Sequence, residues 1–82
     1  MKLSEILSNA AMQMPPRSNN MQSLGWHEGY IVVRFYGSKA IYVYGPEIPE
    51  SEHAKILQNP FPDRIFTACI KAKFKCHKVE QK

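Results

Sequence analysis

All four tyrosines of this chain fall between residues 30 and 44, and Arg34 lies among them. Tyr36, Tyr42 and Tyr44 have rings that stack on nucleobases, at about 1–3 kcal/mol per base in single-strand binders. A guanidinium such as that of Arg34 stacks or pairs with phosphate. Further along, Lys71, Lys73, Lys75, Lys78 and Lys82 stand against a single acid, Glu80. Such a basic segment suits an anionic partner. Both features also have a structural explanation. Tyrosine is a good strand former whose ring can be buried with only its hydroxyl paired, and a lysine run can simply be a solvated tail.

Other reactive side chains give little support for catalysis. Cys76 and His77 are adjacent, so on a regular element they point different ways, whereas a nucleophile and its base need hydrogen-bond reach and a third, orienting group. Cys69 sits in an apolar run and reads as core. The spacing C-x6-C is not a zinc spacing, and His27, His53 and His77 are scattered. Phosphate-loop, dinucleotide and nucleophile-elbow motifs are absent. Asp63 is the only aspartate. Beside it, Arg64 reads as a surface pair or a phosphate contact. Trp26 reads as core or interface, and Phe61, between two prolines, as a loop anchor. The expectation is a binding module, not an enzyme, with no catalytic residue, no metal and no cofactor.

These side chains must be positioned by a small set of elements. Leu3, Ile6, Leu7, Ala10, Ala11 and Met14 recur at helical spacing, with Pro15-Pro16 as the stop. Residues 1–16 are therefore expected to form a helical appendage, followed by the polar linker Arg17-Ser18-Asn19-Asn20. From Met21 the pattern turns to β. Residues 21–27 are a first strand, Tyr30–Tyr36 a strongly β-forming second, and Ala40–Tyr44 a third, closed by Gly45-Pro46. Pro49-Glu50-Ser51-Glu52 opens a helix running to about Gln58. The last segment fits two periods. Ile65, Phe66, Cys69, Ile70 and Phe74 fit a helical stripe, while Ile70, Ala72, Phe74 and Cys76 alternate with lysines and His77. It is read as a short helix over 63–72 and then an extended basic tail.

The expected fold is thus α+β: an N-terminal helix, a three-stranded antiparallel meander, and one or two C-terminal helices packed on one sheet face. Side chains alternate across a strand. A three-residue turn at Gly37-Ser38-Lys39 would pair Arg34 with Tyr42 and Val33 with Val43. That register puts Tyr30, Tyr36, Tyr42, Tyr44 and Arg34 on one outer face and the aliphatic residues inside. A turn of the other parity shifts the pairing by one and mixes the faces.

Eighty-two residues with a net charge of +4 allow one domain with a thin stability margin. Homo-oligomerisation is the expected supplementary source of stability. No apolar run reaches the roughly 18–20 residues of a membrane span, and the N-terminus lacks the pattern of an export signal. Two cysteines are too few for a disulfide framework, which points to a reducing cytoplasm.

The order of residues is also familiar. Ser23-Leu24-Gly25-Trp26, then Val33-Arg34-Phe35 with Gly37, then Tyr42-Val43-Tyr44, then Ile48-Pro49, and finally Phe66-x3-Ile70-Lys71 resemble the KTSC domain. That family is named for a segment at the C-terminus of some lysyl-tRNA synthetases and also occurs as small stand-alone proteins in bacteria and their phages. The resemblance covers about residues 18–78, within a domain of residues 17–82, and leaves the N-terminal helix outside. It implies a compact α+β domain of a family with no established activity, for which its synthetase context suggests RNA binding, in a bacterial or phage-infected cytoplasm, with Tyr42 and Tyr44 as the motif tyrosines. The chain departs from the family pattern in a longer hairpin turn, a longer Tyr44–Pro49 connection, and Asn59-Pro60-Phe61-Pro62-Asp63-Arg64 in place of a small glycine-containing stretch. The leading expectation is a nucleic-acid module, with RNA held by Tyr36, Tyr42, Tyr44, Arg34, Lys71, Lys73 and Lys75. The alternative is a phage-type oligomer that sequesters a small nucleotide signal, cyclic or linear. A third is a protein–protein adaptor using the N-terminal helix.

Overall fold

The computed structural model describes residues 5, 6, 9, 10, 12–14 and 18–80. Three strands come first: β1 (Met21–His27), β2 (Tyr30–Phe35) and β3 (Ala40–Tyr44). Helices α1 (Glu50–Gln58) and α2 (Pro62–Phe66) follow, α2 running on into a π-helical turn over Thr67–Lys71. A last strand, β4 (Cys76–Glu80), closes the order. The sheet is antiparallel throughout, in the order β1-β2-β3-β4.

Two expectations need correction. The meander has four strands, not three, because the basic tail pairs with β3 from Ala40↔Glu80 to Tyr44↔Cys76. The pairing answers a simple demand: without β4, the backbone groups along one side of β3 would lack partners. Nor, among the described residues, does a continuous helix precede the sheet: the first complete element is β1. Ala10 N–H does donate to the Ile6 carbonyl at 2.9 Å, but Gln13 exchanges two 2.8 Å backbone bonds with Leu24. A residue so paired cannot also continue a helix. Glu5, Ile6 and Asn9 are helical, and residues 1–4, 7, 8, 11, 15 and 16 of the expected appendage lie outside the described residues.

The β1–β2 hairpin is closed by Glu28-Gly29, between the paired His27 and Tyr30. Their φ values of 44° and 88° are those of the two-residue turn whose twist matches the strands. The β2–β3 connection is longer. Pairing stops at Arg34↔Ile41, and Tyr36 N–H turns away to the Asn20 carbonyl at 2.9 Å.

The sheet buries both faces. On one, Leu24, Ile31, Val33 and Tyr44 pack with Ile48, Ile56 of α1, Phe66 of α2 and Ile70. On the other, Val32, Ile41 and Val43 pack with Ile6 and Ala10. Fully burying each such aliphatic side chain is worth about 1.5–3 kcal/mol, so a small chain gains by using both faces. The segment before α1 is pinned to the first hairpin. Ile48 N–H donates to the Gly29 carbonyl at 2.9 Å, and Trp26 Nε1–H donates to the Ile48 carbonyl at 2.8 Å. Among the described residues no helix is long and apolar enough to cross a membrane.

Gly45 is where this packing is tightest. Its φ is 145°, and a Cβ there would stand 2.7 Å from both the Gly29 carbonyl oxygen and Tyr30 Cδ1. Gly45→Ala is expected to cost about 3 kcal/mol. Gly37→Ala, at φ 78° in open space, should cost about 1 kcal/mol. Urea denaturation of the two variants checks this, and equal losses would contradict it.

His53 supplies a pH dependence. Burial lowers its pKa from the ordinary 6.5, against smaller opposing effects of the Leu24 backbone and Glu50. The unfolded chain therefore takes up a proton that the folded chain resists, and stability falls as pH drops below about 6.5. A pH series of thermal unfolding should show this slope for the wild type and a shallower one for His53→Gln.

Candidate functional site

The pairing of β2 with β3 is Ile31↔Tyr44, Val32↔Val43, Val33↔Tyr42 and Arg34↔Ile41. This is the other parity from the expected one, because Tyr36 leaves the strand and joins the turn. The aromatic–basic outer face is therefore split. Tyr42 and Tyr44 share a face with Ile31 and Val33, under the helices. Arg34 shares the opposite face with Val32, Ile41 and Val43.

The inward tyrosines meet an aromatic cluster. Phe66 of α2 lies edge-on to Tyr44 at 5.2 Å between ring centroids and to Phe35 at 5.9 Å, and Phe35 meets Tyr42 at 5.4 Å. Such edge-to-face pairs add about 0.5–1.5 kcal/mol each beyond burial. Tyr44 is fully packed, at 4% exposure. Its phenol is pushed well above the ordinary 10, first by burial, then by its hydrogen bond to Cys76 and by the charges of Cys76 and Tyr42. Cys76 is its cross-strand partner on β4.

Beside this cluster opens a cavity of about 700 Å³, within the usual range for small-molecule sites. The sheet contributes Met21, Phe35, Tyr42, Tyr44 and Cys76, and the turn after β2 contributes Tyr36. Asn20 comes from the linker. Opposite them stand Phe66 together with Asp63, Thr67 and Lys71. The last three recur at four-residue spacing, which places them on one side of a helix. Tyr36 is 53% exposed and forms part of the rim.

The linker is fastened to this wall. The Ser18 hydroxyl donates to Asp63 Oδ1, and Asn19 N–H donates to Oδ2 at 3.1 Å. Ser18 Oγ in turn accepts Met21 N–H at 2.8 Å, and the Thr67 hydroxyl donates to the Asp63 carbonyl at 2.9 Å. The expected Asp63–Arg64 pair is thus replaced: Asp63 holds the linker, and the Arg64 guanidinium lies 6.0 Å from the centre of the Phe61 ring.

Of the expected site residues, Tyr36, Tyr42, Tyr44 and Lys71 come together at the cavity. Arg34 belongs to the other face. Lys73 and Lys75 are exposed in the turn before β4 and do not line the cavity. Sequence reasoning missed Phe35, Phe66, Asp63 and Thr67. The i, i+4, i+8 recurrence of Asp63, Thr67 and Lys71 was a visible signal for the polar stripe. Cys76 and His77 are consecutive on β4, paired with Tyr44 and Val43, so they face opposite sides of the sheet. No group of three or more potential metal ligands converges among the described residues.

No protein-family model matches the chain, and no curated protein matches it. The likeness to the KTSC domain rests on the quoted residues alone.

The Tyr44 phenol gives an alkaline prediction. A folded pKa above that of the unfolded chain means its stabilising contribution is complete below pH 10 and is lost as pH rises beyond it. Tyr44→Phe should remove about 1 kcal/mol of the stability difference between pH 9 and pH 11. Urea midpoints of both proteins at the two pH values measure it, and parallel losses would contradict it.

Proposed function

We propose that this chain is a non-catalytic binding module for a nucleotide, whose base enters the aromatic cavity and whose phosphate meets Lys71. The observation that carries this reading is the convergence of Tyr36, Tyr42 and Lys71 on one cavity of about 700 Å³. Aromatic walls favour a flat π system, and an ammonium at the edge favours a phosphate. The nucleotide is either free or an unpaired residue of an RNA strand, since both present the same chemistry. The basic run through Lys73 and Lys75, exposed beyond Lys71, supports a strand continuing past the cavity. The resemblance to the KTSC domain supports the same setting, a bacterial or phage-infected cytoplasm. The adaptor reading is less favoured, because Ile6 and Ala10 are buried against the sheet and not presented to a partner.

Calorimetric titration with nucleoside monophosphates, nucleosides and a short single-stranded RNA tests this. Monophosphates should bind more tightly than nucleosides. Lys71→Ala should weaken the monophosphates about tenfold, or about 1.4 kcal/mol, and leave the nucleosides unchanged. A strand reaching Lys73 and Lys75 would bind with a steeper salt dependence than a monophosphate. Absence of binding by every one of these compounds at low salt would reject the proposal.

A further inference from the structure

The two edges of the sheet are finished differently. Along β1, Gln13 exchanges two backbone bonds with Leu24, and the pairing with β2 slips between Met21 and Ser23. A covering segment and a bulge are two of the ways in which proteins close a sheet edge. β4 ends the sheet on the other side. Its pairing with β3 runs without a slip from Ala40↔Glu80 to Tyr44↔Cys76, and among the described residues no strand lies beyond it. It contains no proline, and Cys76, His77 and Lys78 are exposed. A regular edge of this kind is a template for one more strand.

The side chains along β4 define what that strand must carry. Lys78 stands opposite Tyr42 and shares the cavity face, whereas Val79 stands opposite Ile41 and packs, half-buried, on the layer of Val32, Ile41 and Val43. Residues directly opposite on neighbouring strands share a face and interact. Charge favours an acid beside Lys78, and an aliphatic residue beside Val79 would extend the layer around Ile41 and Val43. The two positions are consecutive, so acids and aliphatic residues must alternate. Lys73 and Lys75, exposed in the turn leading into β4, add positive charge at the same edge and draw an anionic segment to it. A second copy of this chain is a poor occupant. It carries the same net charge of +4, and lysine on an edge discourages the pairing of like with like. A nucleic-acid strand lacks the peptide groups that extend a sheet.

We infer that the outer edge of β4 is a docking site for an extended acidic peptide segment in which acids alternate with aliphatic residues. The segment adds a strand to the four already present. The inference goes beyond the nucleotide reading and does not rest on it.

Titration of the isotope-labelled protein with a synthetic peptide of alternating Glu and Val, followed by amide chemical shifts and hydrogen exchange, tests it. Binding should shift and protect the amides of Cys76–Glu80. Three control peptides should each bind about tenfold more weakly or worse. One has the same composition with Glu and Val in separate blocks, one alternates Lys and Val, and one is the acidic peptide N-methylated so that it lacks backbone donors. Lys78→Glu should weaken the alternating acidic peptide about tenfold. The double variant Lys73→Glu, Lys75→Glu lies outside the strand and should weaken it too, so the charge test stands if Lys78→Glu fails to fold. Equal binding of the blocked or N-methylated peptide would mean charge attraction without strand addition, and would overturn the inference. Protection of Cys76–Glu80 that grows with protein concentration alone would assign the edge to a second copy and overturn it likewise. Absence of binding at millimolar peptide would also overturn it. None of these outcomes touches the nucleotide reading.

Discussion

Backbone pairing between β2 and β3 decides which side chains this protein hides and which it offers. With Ile31 opposite Tyr44 and Val33 opposite Tyr42, two phenols are turned towards α2 instead of solvent. A slip of one residue would exchange the faces: Arg34 would join the tyrosines, and Val43 would replace Tyr44 beneath Phe66. The register is held by contacts on both sides of the sheet. Phe66 packs edge-on to Tyr44, and Val32, Ile41 and Val43 are buried with Ile6 and Ala10. Slippage would place a tyrosine in the second layer and a valine in the first, and neither cavity nor core would survive it.

The helical wall meets this face in a matching way. Phe66 and Ile70 are buried in the core, while Asp63, Thr67 and Lys71 line the cavity. The two stripes lie side by side on one helical stretch, so the residues that bury the helix also fix the direction of its polar groups. Asp63 adds a restraint from outside the helix. By accepting from Ser18 and Asn19 it fastens the linker that carries Asn20 and Met21 to the cavity. The cavity is therefore bounded by two pieces of chain that a single carboxylate joins.

Much of the fold was legible because local chemistry and tertiary need agreed. Glu28-Gly29, the two residues between the expected first and second strands, adopt a tight turn. Proline with two acids in the first turn reads as a helix start, and α1 begins at Glu50. What was not legible depended on long-range pairing. The alternation of Ile70, Ala72, Phe74 and Cys76 fitted a strand, but only β3, distant in sequence, could recruit the tail into the sheet, and β4 begins only at Cys76. Sheet parity was also hidden. It turned on whether Tyr36 belongs to the strand or to the turn, and β2 ends at Phe35 while β3 begins at Ala40, a boundary that the local sequence leaves open. Of the site, the tyrosine motif and Lys71 were readable as candidates. Their shared enclosure was not, because it required the opposite register from the one that separates polar from apolar most neatly.

That neatness misled for a physical reason. Sorting polar from apolar side chains assumes a sheet with one face in water, as antiparallel sheets often have. Here both faces are covered, one by the helices and the other by a stretch containing Ile6 and Ala10. Under two-sided burial, strands need not alternate in polarity, and an unbroken run such as Ile31-Val32-Val33 is the pattern to expect. Tyrosine then has a distinct use. It contributes ring area to a core while its hydroxyl reaches a polar neighbour, as Tyr44 does with Cys76. A row of such residues where a core gives way to an opening forms a wall that is apolar in depth and hydrogen-bonding at its margin, suited to a flat, polar-edged ligand. The tyrosines of β3 thus join the packing of the domain to the lining of its cavity. A substitution there acts on both at once, whereas Lys71, exposed at the cavity's edge, takes no part in the core.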